Sequence, residues 1–366
     1  MQLEMLGGPD AEMRRIQTWR LQGVLGEDGP IKAIFKHPVC VEDIPVAGSP
    51  RWASAQQGQL WFDHGAPAGF QMDKDVWLRS AGYTVTADSA RFLSGEQRVI
   101  FGSDPEQRHR ATVRTGDFQA SAQRVEGLHA DGIVRAEGEV QGVVKKGLLL
   151  GRGGTSSSEG PIRFACDHLE AQEKGRKAVL RGAARVWQGD RLLLADEITM
   201  SKGGDRLEAS GSVRMTVVAN QFNPDAPKGK EALVVAQSLV YDRSSGVIEI
   251  KGNVRYSDPL YLMSCSSLVA HLGENNRAET IDASGAVDIQ DLAEGRHMQG
   301  EKAHYTTETH LLKMSGKPVR LLDSKNNLIT GTSLTWDRAA GTVSVSGGEG
   351  APTETIYHTG DMGEIH

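Results

Sequence analysis

Apolar and polar residues alternate with a period of two along much of the chain, as in strands that bury one face. In "YDRSSGVIEIKGNVRY", residues 241–256, Tyr241 closes the run Leu239-Val240-Tyr241, and Asp242 to Gly246 carry turn chemistry. Ile248, Ile250, Val254 and Tyr256 then point one way, while Glu249, Lys251, Asn253 and Arg255 point the other. This pattern predicts a strand, a tight turn and a second strand that carries a glycine, Gly252, at an inward position. A glycine placed there leaves room for a bend, a bulge or a close backbone neighbour.

The unit recurs. Comparable glycines stand at Gly182 ("VLRGAARV"), Gly211 ("LEASGSVRM"), Gly285 ("IDASGAVDI"), Gly316 ("LKMSGKPVRL") and Gly347 ("VSVSGG"), with weaker copies at Gly138 and Gly102. Sixteen residues before five of them lies a small residue: Cys166, Ala195, Ala236, Gly300 or Gly331. Three residues beyond each come Leu169, Ile198, Leu239, Ala303 and Leu334, and five beyond come Ala171, Met200, Tyr241, Tyr305 and Trp336. A sixth unit starts at Cys265 and has a longer loop, "HLGENNRAET". Internal repetition on this scale means stacked supersecondary units that share one core. The steps between successive glycines from Gly182 onward are 29, 41, 33, 31 and 31 residues. The long step holds a polar, proline-bearing loop, "VVANQFNPDAPKGKEA". A strict solenoid would keep a tighter period. The expected fold is therefore all-β, an elongated, twisted β-jellyroll or jellyrolls of stacked antiparallel strands. One short helix is expected over 9–22, "PDAEMRRIQTWRLQ". The stretch 147–160, "GLLLGRGGTSSSEG", reads as a Gly/Ser linker between a region of blurred units, 1–146, and one of clear units, 161–366.

Composition narrows the function. The 366 residues carry a net charge of −6 with both signs interspersed, so no basic surface points to nucleic acid. No apolar run approaches the ~18–20 residues needed to span a bilayer. The N-terminal "MQLEMLGGPDAEMRRIQ" has no apolar signal region, so the protein is expected either to be cytosolic or to have had an export segment removed. The cysteines at 40, 166 and 265 show no CxxC spacing, which argues against a zinc site or a disulfide framework.

Catalytic patterns are missing too. "GRGGTSSS" lacks the Gly-Lys-Ser/Thr ending of a phosphate loop, and no G-x-S-x-G, HExxH or EF-hand pattern occurs. His297 and His304, like His358 and His366, have no metal-ligand spacing with other donors, and Asp196, Glu197, Asp282 and Asp288 fall on outward strand positions. A non-enzymatic protein with no cofactor and no bound metal is expected.

The pattern A-x-x-L-x-Y-(turn)-x-I-x-I-x-G-x-V-x-apolar, as in "AQSLVYDRSSGVIEIKGNVRY", resembles the repeat of the OstA-like periplasmic lipopolysaccharide-transport family, the LptA and LptC group. The likeness is good over about 161–350, where "GEKAHYTTETHLLKMSGKPVRLLDSKNNLITGTSLTWDRAAGTVSVSGG" is similar to an LptA C-terminus. Over about 75–146 it is fainter and more LptC-like. The resemblance implies a periplasmic bridge with an apolar groove that shields lipopolysaccharide acyl chains between the membranes. It implies joining to other jellyroll proteins through edge strands, with an inner-membrane transporter at one end and an outer-membrane translocon at the other. Head-to-tail self-association follows from the same edges. The chain departs from the family pattern in carrying an LptC-like and an LptA-like portion in line, and in showing no N-terminal anchor. The inward positions of the clear units are the candidate groove lining: Ile198, Leu207, Val213, Met215, Leu239, Tyr241, Ile248, Ile250, Val254, Ile281, Val287, Ile289, Met314, Leu334 and Trp336. The rival reading is a structural β-solenoid scaffold or filament former that binds no lipid.

Overall fold

The structure is a computed structural model. It describes residues 2–6, 13–27, 29–44, 51–80, 82–93, 98–103, 109–128, 133–145, 149, 160–172, 176–201, 204–274, 276–348 and 352–356. The expected linker 147–160 lies outside the described residues apart from Leu149 and Gly160. Contacts divide the chain into two compact units, 1–146 with 161–184, and 147–160 with 185–366. Apart from one 3-10 turn at Ala219–Gln221, the elements are antiparallel strands.

In the first unit the strands are β1 (Gln2–Leu6), β2 (Met13–Gly26), β3 (Gly29–Ile44), β4 (Arg51–Asp63), β5 (Ala66–Ser80), β6 (Tyr83–Leu93), β7 (Arg98–Gly102), β8 (Ala111–Thr115), β9 (Phe118–Ala122), β10 (Arg124–Leu128), β11 (Ile133–Val144) and β12 (Ile162–Gln172). Strands β1 to β6 pair in chain order. The next two rungs are split. Strand β6 pairs with both β7 and β8, and β11 pairs with both β10 and β9. An aromatic ladder runs through this interior, with Phe35, Phe70, Phe92 and Phe101 at centroid spacings of 5.9, 6.4 and 6.4 Å.

The helix expected over 9–22 is not formed where the structure describes it, because residues 13–22 belong to β2. Ile16 and Thr18 are buried while Gln17 and Trp19 are exposed, a period of two, and the strand is paired on both sides. The run "MRRIQTWRLQ" suits a helix by propensity, but pairing with β3, and with β1 as far as Gln17, takes up its backbone groups, and packing overrides propensity.

Strand β13 (Lys177–Gln188) contains the boundary between the units. The second unit continues with β14 (Arg191–Ser201), β15 (Arg206–Val218), β16 (Glu231–Asp242), β17 (Val247–Ser257), β18 (Tyr261–Leu272), β19 (Ala278–Asp291), β20 (Arg296–Thr306), β21 (Leu311–Leu322), β22 (Leu328–Asp337), β23 (Thr342–Ser346) and β24 (Glu354–Ile356). From β14 to β23 each strand pairs with the next, and β24 pairs with the first residues of β22.

Each rung bends at its glycine. Between β15 and β16 the register jumps from Ser210↔Ser238 to Val213↔Ala236, so Gly211 and Ser212 bulge opposite the single residue Gln237. Gly211 has φ +73, and a Cβ there would lie 2.2 Å from Asp196 Oδ2 on the preceding strand, so both backbone and space require glycine. The residue that follows is left-handed as well: Glu139, Ala183, Ser212, Asn253 and Ala286 have φ between 43 and 50. These positions carry strain that glycine would relieve. Ala183→Gly and Ala286→Gly are each expected to raise unfolding free energy by up to ~1 kcal/mol, read from the urea midpoint.

Candidate functional site

Cross-strand register sorts the inward residues of the second unit into continuous rows. One row runs Ile198, Ala209, Leu239, Ile250, Leu268, Ala283, Ala303, Met314, Leu334 and Val345, each opposite the next. A second runs Leu207, Tyr241, Ile248, Ala270, Ile281, Tyr305, Leu312 and Trp336. Beyond the bend the other arm supplies Met215, Val234, Tyr256, Met263, Ile289 and Met298. Val213, Val254 and Val287 stand at the bend opposite the small residues Ala236, Cys265 and Gly300. At about 4.8 Å per strand, such rows run along the stack for tens of ångströms.

Every candidate groove residue falls in one of these rows or at the bend. All are buried except Ile281, which is half-buried. Apart from Ile281, these side chains have little exposure to solvent. Two surface concavities, of about 590 and 330 Å³, are lined by other residues on outward faces and strand ends.

Sequence reading missed the residue that caps each bend. A polar side chain one position after the small anchor covers the glycine of the next rung: Asp167 over Gly182, Asp196 over Gly211 and Gln237 over Gly252. The signal was available, as a polar residue fifteen positions before each glycine.

The second omission is the seam where the ends of the bent strands meet. A ten-residue strand such as β22 would span roughly 33 Å if straight. Yet Trp336, near the end of β22, packs edge-on against Tyr261 at the start of β18, with centroids 6.1 Å apart. The two residues lie at opposite strand ends, so the arms must fold towards each other about the bulges. Arg338, from the turn after β22, stacks on Tyr261, Tyr305 and Trp336 at 4.5, 5.1 and 5.7 Å. Its Nη2 lies 2.6 Å from Asp225 Oδ2 and donates to Asn223 Oδ1 at 3.1 Å.

Both partners belong to the long loop between β15 and β16. His310 Nδ1, from the turn before β21, lies 3.2 Å from the other oxygen of Asp225. Asn223 Nδ2 donates to Asp258 Oδ2 at 2.9 Å, and Tyr256 Oη donates to the same oxygen at 2.7 Å. Burial, reinforced by the Asp258 carboxylate, pushes the Tyr256 phenol well above its ordinary range. Burial also pushes Tyr305 up to about 12, with the Arg338 charge pulling the other way. The sequence hint here was the 41-residue step between Gly211 and Gly252.

The outward carboxylates and histidines pair with each other across strands. His297 Nε2 lies 2.7 Å from Asp288 Oδ2, and His304 Nδ1 lies 2.7 Å from Asp282 Oδ1. No group of acidic, histidine or cysteine side chains suited to a metal ion occurs among the described residues. Cys166 and Cys265 are buried, and burial pushes their thiols up to about 12 and about 11, whereas Cys40 is exposed. A disulfide reagent near pH 8 is therefore expected to label one thiol in the folded protein and all three after unfolding.

Fold and site together define a repeat protein in which the bent antiparallel rungs of the second unit bury continuous apolar rows. Residues 165–259 and 233–342 each match the family described as LptA/(LptD N-terminal domain) LPS transport protein. Together the two matches span residues 165–342, and over that stretch the chain is similar to this family of lipopolysaccharide-transport proteins. No curated protein matches the chain. Among solved structures it is similar to LptH of Pseudomonas aeruginosa, described as the LptA-homologous periplasmic component of the conserved lipopolysaccharide transport device. The two share 13% identity over 37% of this chain and 97% of LptH, with a TM-score of 0.32. No helix among the described residues is long and apolar enough to cross a membrane.

Proposed function

We propose that the chain is a periplasmic bridge component that shields lipopolysaccharide acyl chains in the interior of its second unit while they pass from the inner to the outer membrane. The row from Ile198 to Val345 carries this reading, because it offers hydrocarbon the same kind of surface at every rung. Burying one methylene is worth about 0.8 kcal/mol, so an acyl chain of about a dozen carbons gains roughly 10 kcal/mol. Near-uniform rungs keep that gain even along the path and so let the lipid move on. With these side chains buried, incoming acyl chains part the two arms and replace contacts between their side chains.

Other jellyroll proteins of the bridge would join through the terminal strands. Strand β23 pairs with β22 alone among the described residues, which leaves its outer edge open to another chain. The transporter and translocon at either end, and head-to-tail self-association, follow from the same reading. Buried apolar rows are also what a scaffold without lipid binding would have, and a binding experiment separates the two. Ile250→Asp and Val254→Asp are expected to abolish binding of a fluorescent acyl probe and of purified lipopolysaccharide, as followed by fluorescence. Ile281→Asp, at a half-buried position, should keep the fold and weaken binding about ten-fold. Folded variants that bind as well as the parent would count against the interior as the lipid site, and a parent that binds neither ligand would favour the scaffold.

A further inference from the structure

The seam assigns a role to the loop that breaks the repeat. Residues 219–230 leave β15 through the 3-10 turn and return to β16, closed at the base by Ala219 N–H donating to the Lys230 carbonyl at 2.7 Å. Inside the loop the Phe222 and Asn223 N–H groups donate to the Ala219 carbonyl, and Ala226 N–H donates to the Asn223 carbonyl. Phe222, Asn223 and Ala226 are buried, while Pro224, Asp225, Pro227 and Lys228 are exposed. The segment thus has an inner and an outer side, and it is held at its tip by contacts to turns at the opposite strand ends.

Those tip contacts differ from the rest of the unit. The rungs are held by ladder bonds and apolar rows, whereas the loop is held to the opposite arm by Asp225 bridging Arg338 and His310, with Asn223 beside it. Asp225 is about one-third exposed, so water can compete for it. The seam also leaves a polar atom unmatched. Trp336 Nε1 is buried with no hydrogen-bond partner among the described residues. A dry, unpartnered polar atom costs free energy in the closed state that opening would return.

We propose that residues 219–230 are a strap across the seam of the second unit, pinned by Asp225 to Arg338 and His310, and that acyl chains reach the apolar interior only when this strap lifts. The inference rests on the lipid-carrying reading above and names where the lipid gets in. Lifting the strap breaks the contacts of Asp225 to Arg338 and His310 and of Asn223 to Arg338, uncovers Phe222 and Ala226, and leaves the sheet ladder whole. The arms can then part at the seam and expose the rows containing Tyr241, Ile248 and Trp336. A lateral opening suits a molecule whose polar head must stay in water while its tails enter.

The experiment uses the full chain with Cys40→Ser, Asp225→Cys and His310→Cys, bridged by a short bis-methanethiosulfonate that dithiothreitol removes. Bridging is expected to slow uptake of a fluorescent acyl probe at least about ten-fold, with recovery on reduction. Independently, Asp225→Asn should speed amide exchange at Phe222, Asn223 and Ala226 about ten-fold while the β16 and β17 amides stay as protected as in the parent. Equal uptake by the bridged and reduced forms, or strap amides unmoved in Asp225→Asn, overturns the strap and leaves the lipid reading standing. A parent protein that takes up no probe overturns the lipid reading, and with it the strap as the way in.

Discussion

Gly252→Val is expected to destabilise the second unit by about 3 kcal/mol or more, enough to unfold a marginal domain. Gly252 sits at φ +82, and a Cβ there would lie 2.3 Å from Gln237 Oε1 and 2.7 Å from Gln237 Cβ. A left-handed backbone costs a non-glycine residue about 1–2 kcal/mol, and a β-branched one more. The clash adds to this, because Gln237 lies on the neighbouring strand beside Gly252 and its Cβ cannot swing away. Gln237→Gly in the same chain should restore the part due to the clash and leave the part due to φ. Urea unfolding of the parent, the single variant and the pair would separate the two contributions. Full rescue by Gln237→Gly would show that φ is not limiting.

The rung was legible because its determinants are local. Alternation around Ile248, Ile250 and Val254 fixes which face is buried, and turn residues such as Asp242 and Gly246 fix where the strands end. The bulge could be read from Gly252 itself, since few other reasons place a glycine at an inward strand position. Gln237 and Asp196 were harder, because a polar residue in a strand reads as solvent-facing and its role exists only once the neighbouring rung is laid beside it.

The seam was beyond reach for a similar reason. Arg338 and Asn223 are 115 residues apart, and nothing around either one announces the other. Burial of the candidate lining was foreseeable from the alternation. Whether the rows face an open trough or each other depends on the angle at the bulges, which no single rung encodes.

Arg338→Ala is the second large effect expected, a loss of about 2–3 kcal/mol from the second unit together with release of the seam. The arginine is nearly buried, stacks on three rings and is bonded to Asp225 and Asn223. Truncation removes the stacking and leaves Asn223 and Asp225 facing an empty space. Arg338→Lys should recover less than half of the loss, because an ammonium cannot stack as a plane or donate to both partners in a fork. Thermal melting gives the stability, and near-ultraviolet circular dichroism from Trp336 and the tyrosines reports the seam. Its signal is expected to fall in Arg338→Ala before the far-ultraviolet β signal changes. A full rescue by lysine would mean that charge alone holds the arms.

The register shifts fall at matching places in successive strand pairs, between Ser210 and Val213, Lys251 and Val254, and Ser284 and Val287. They therefore line up as a crease running across the strands. Parting the arms about that crease disturbs side-chain contacts, while pulling neighbouring rungs apart along the stack would tear a whole ladder of hydrogen bonds at once. The second unit should thus yield like the spine of a book, compliant sideways and stiff along its length.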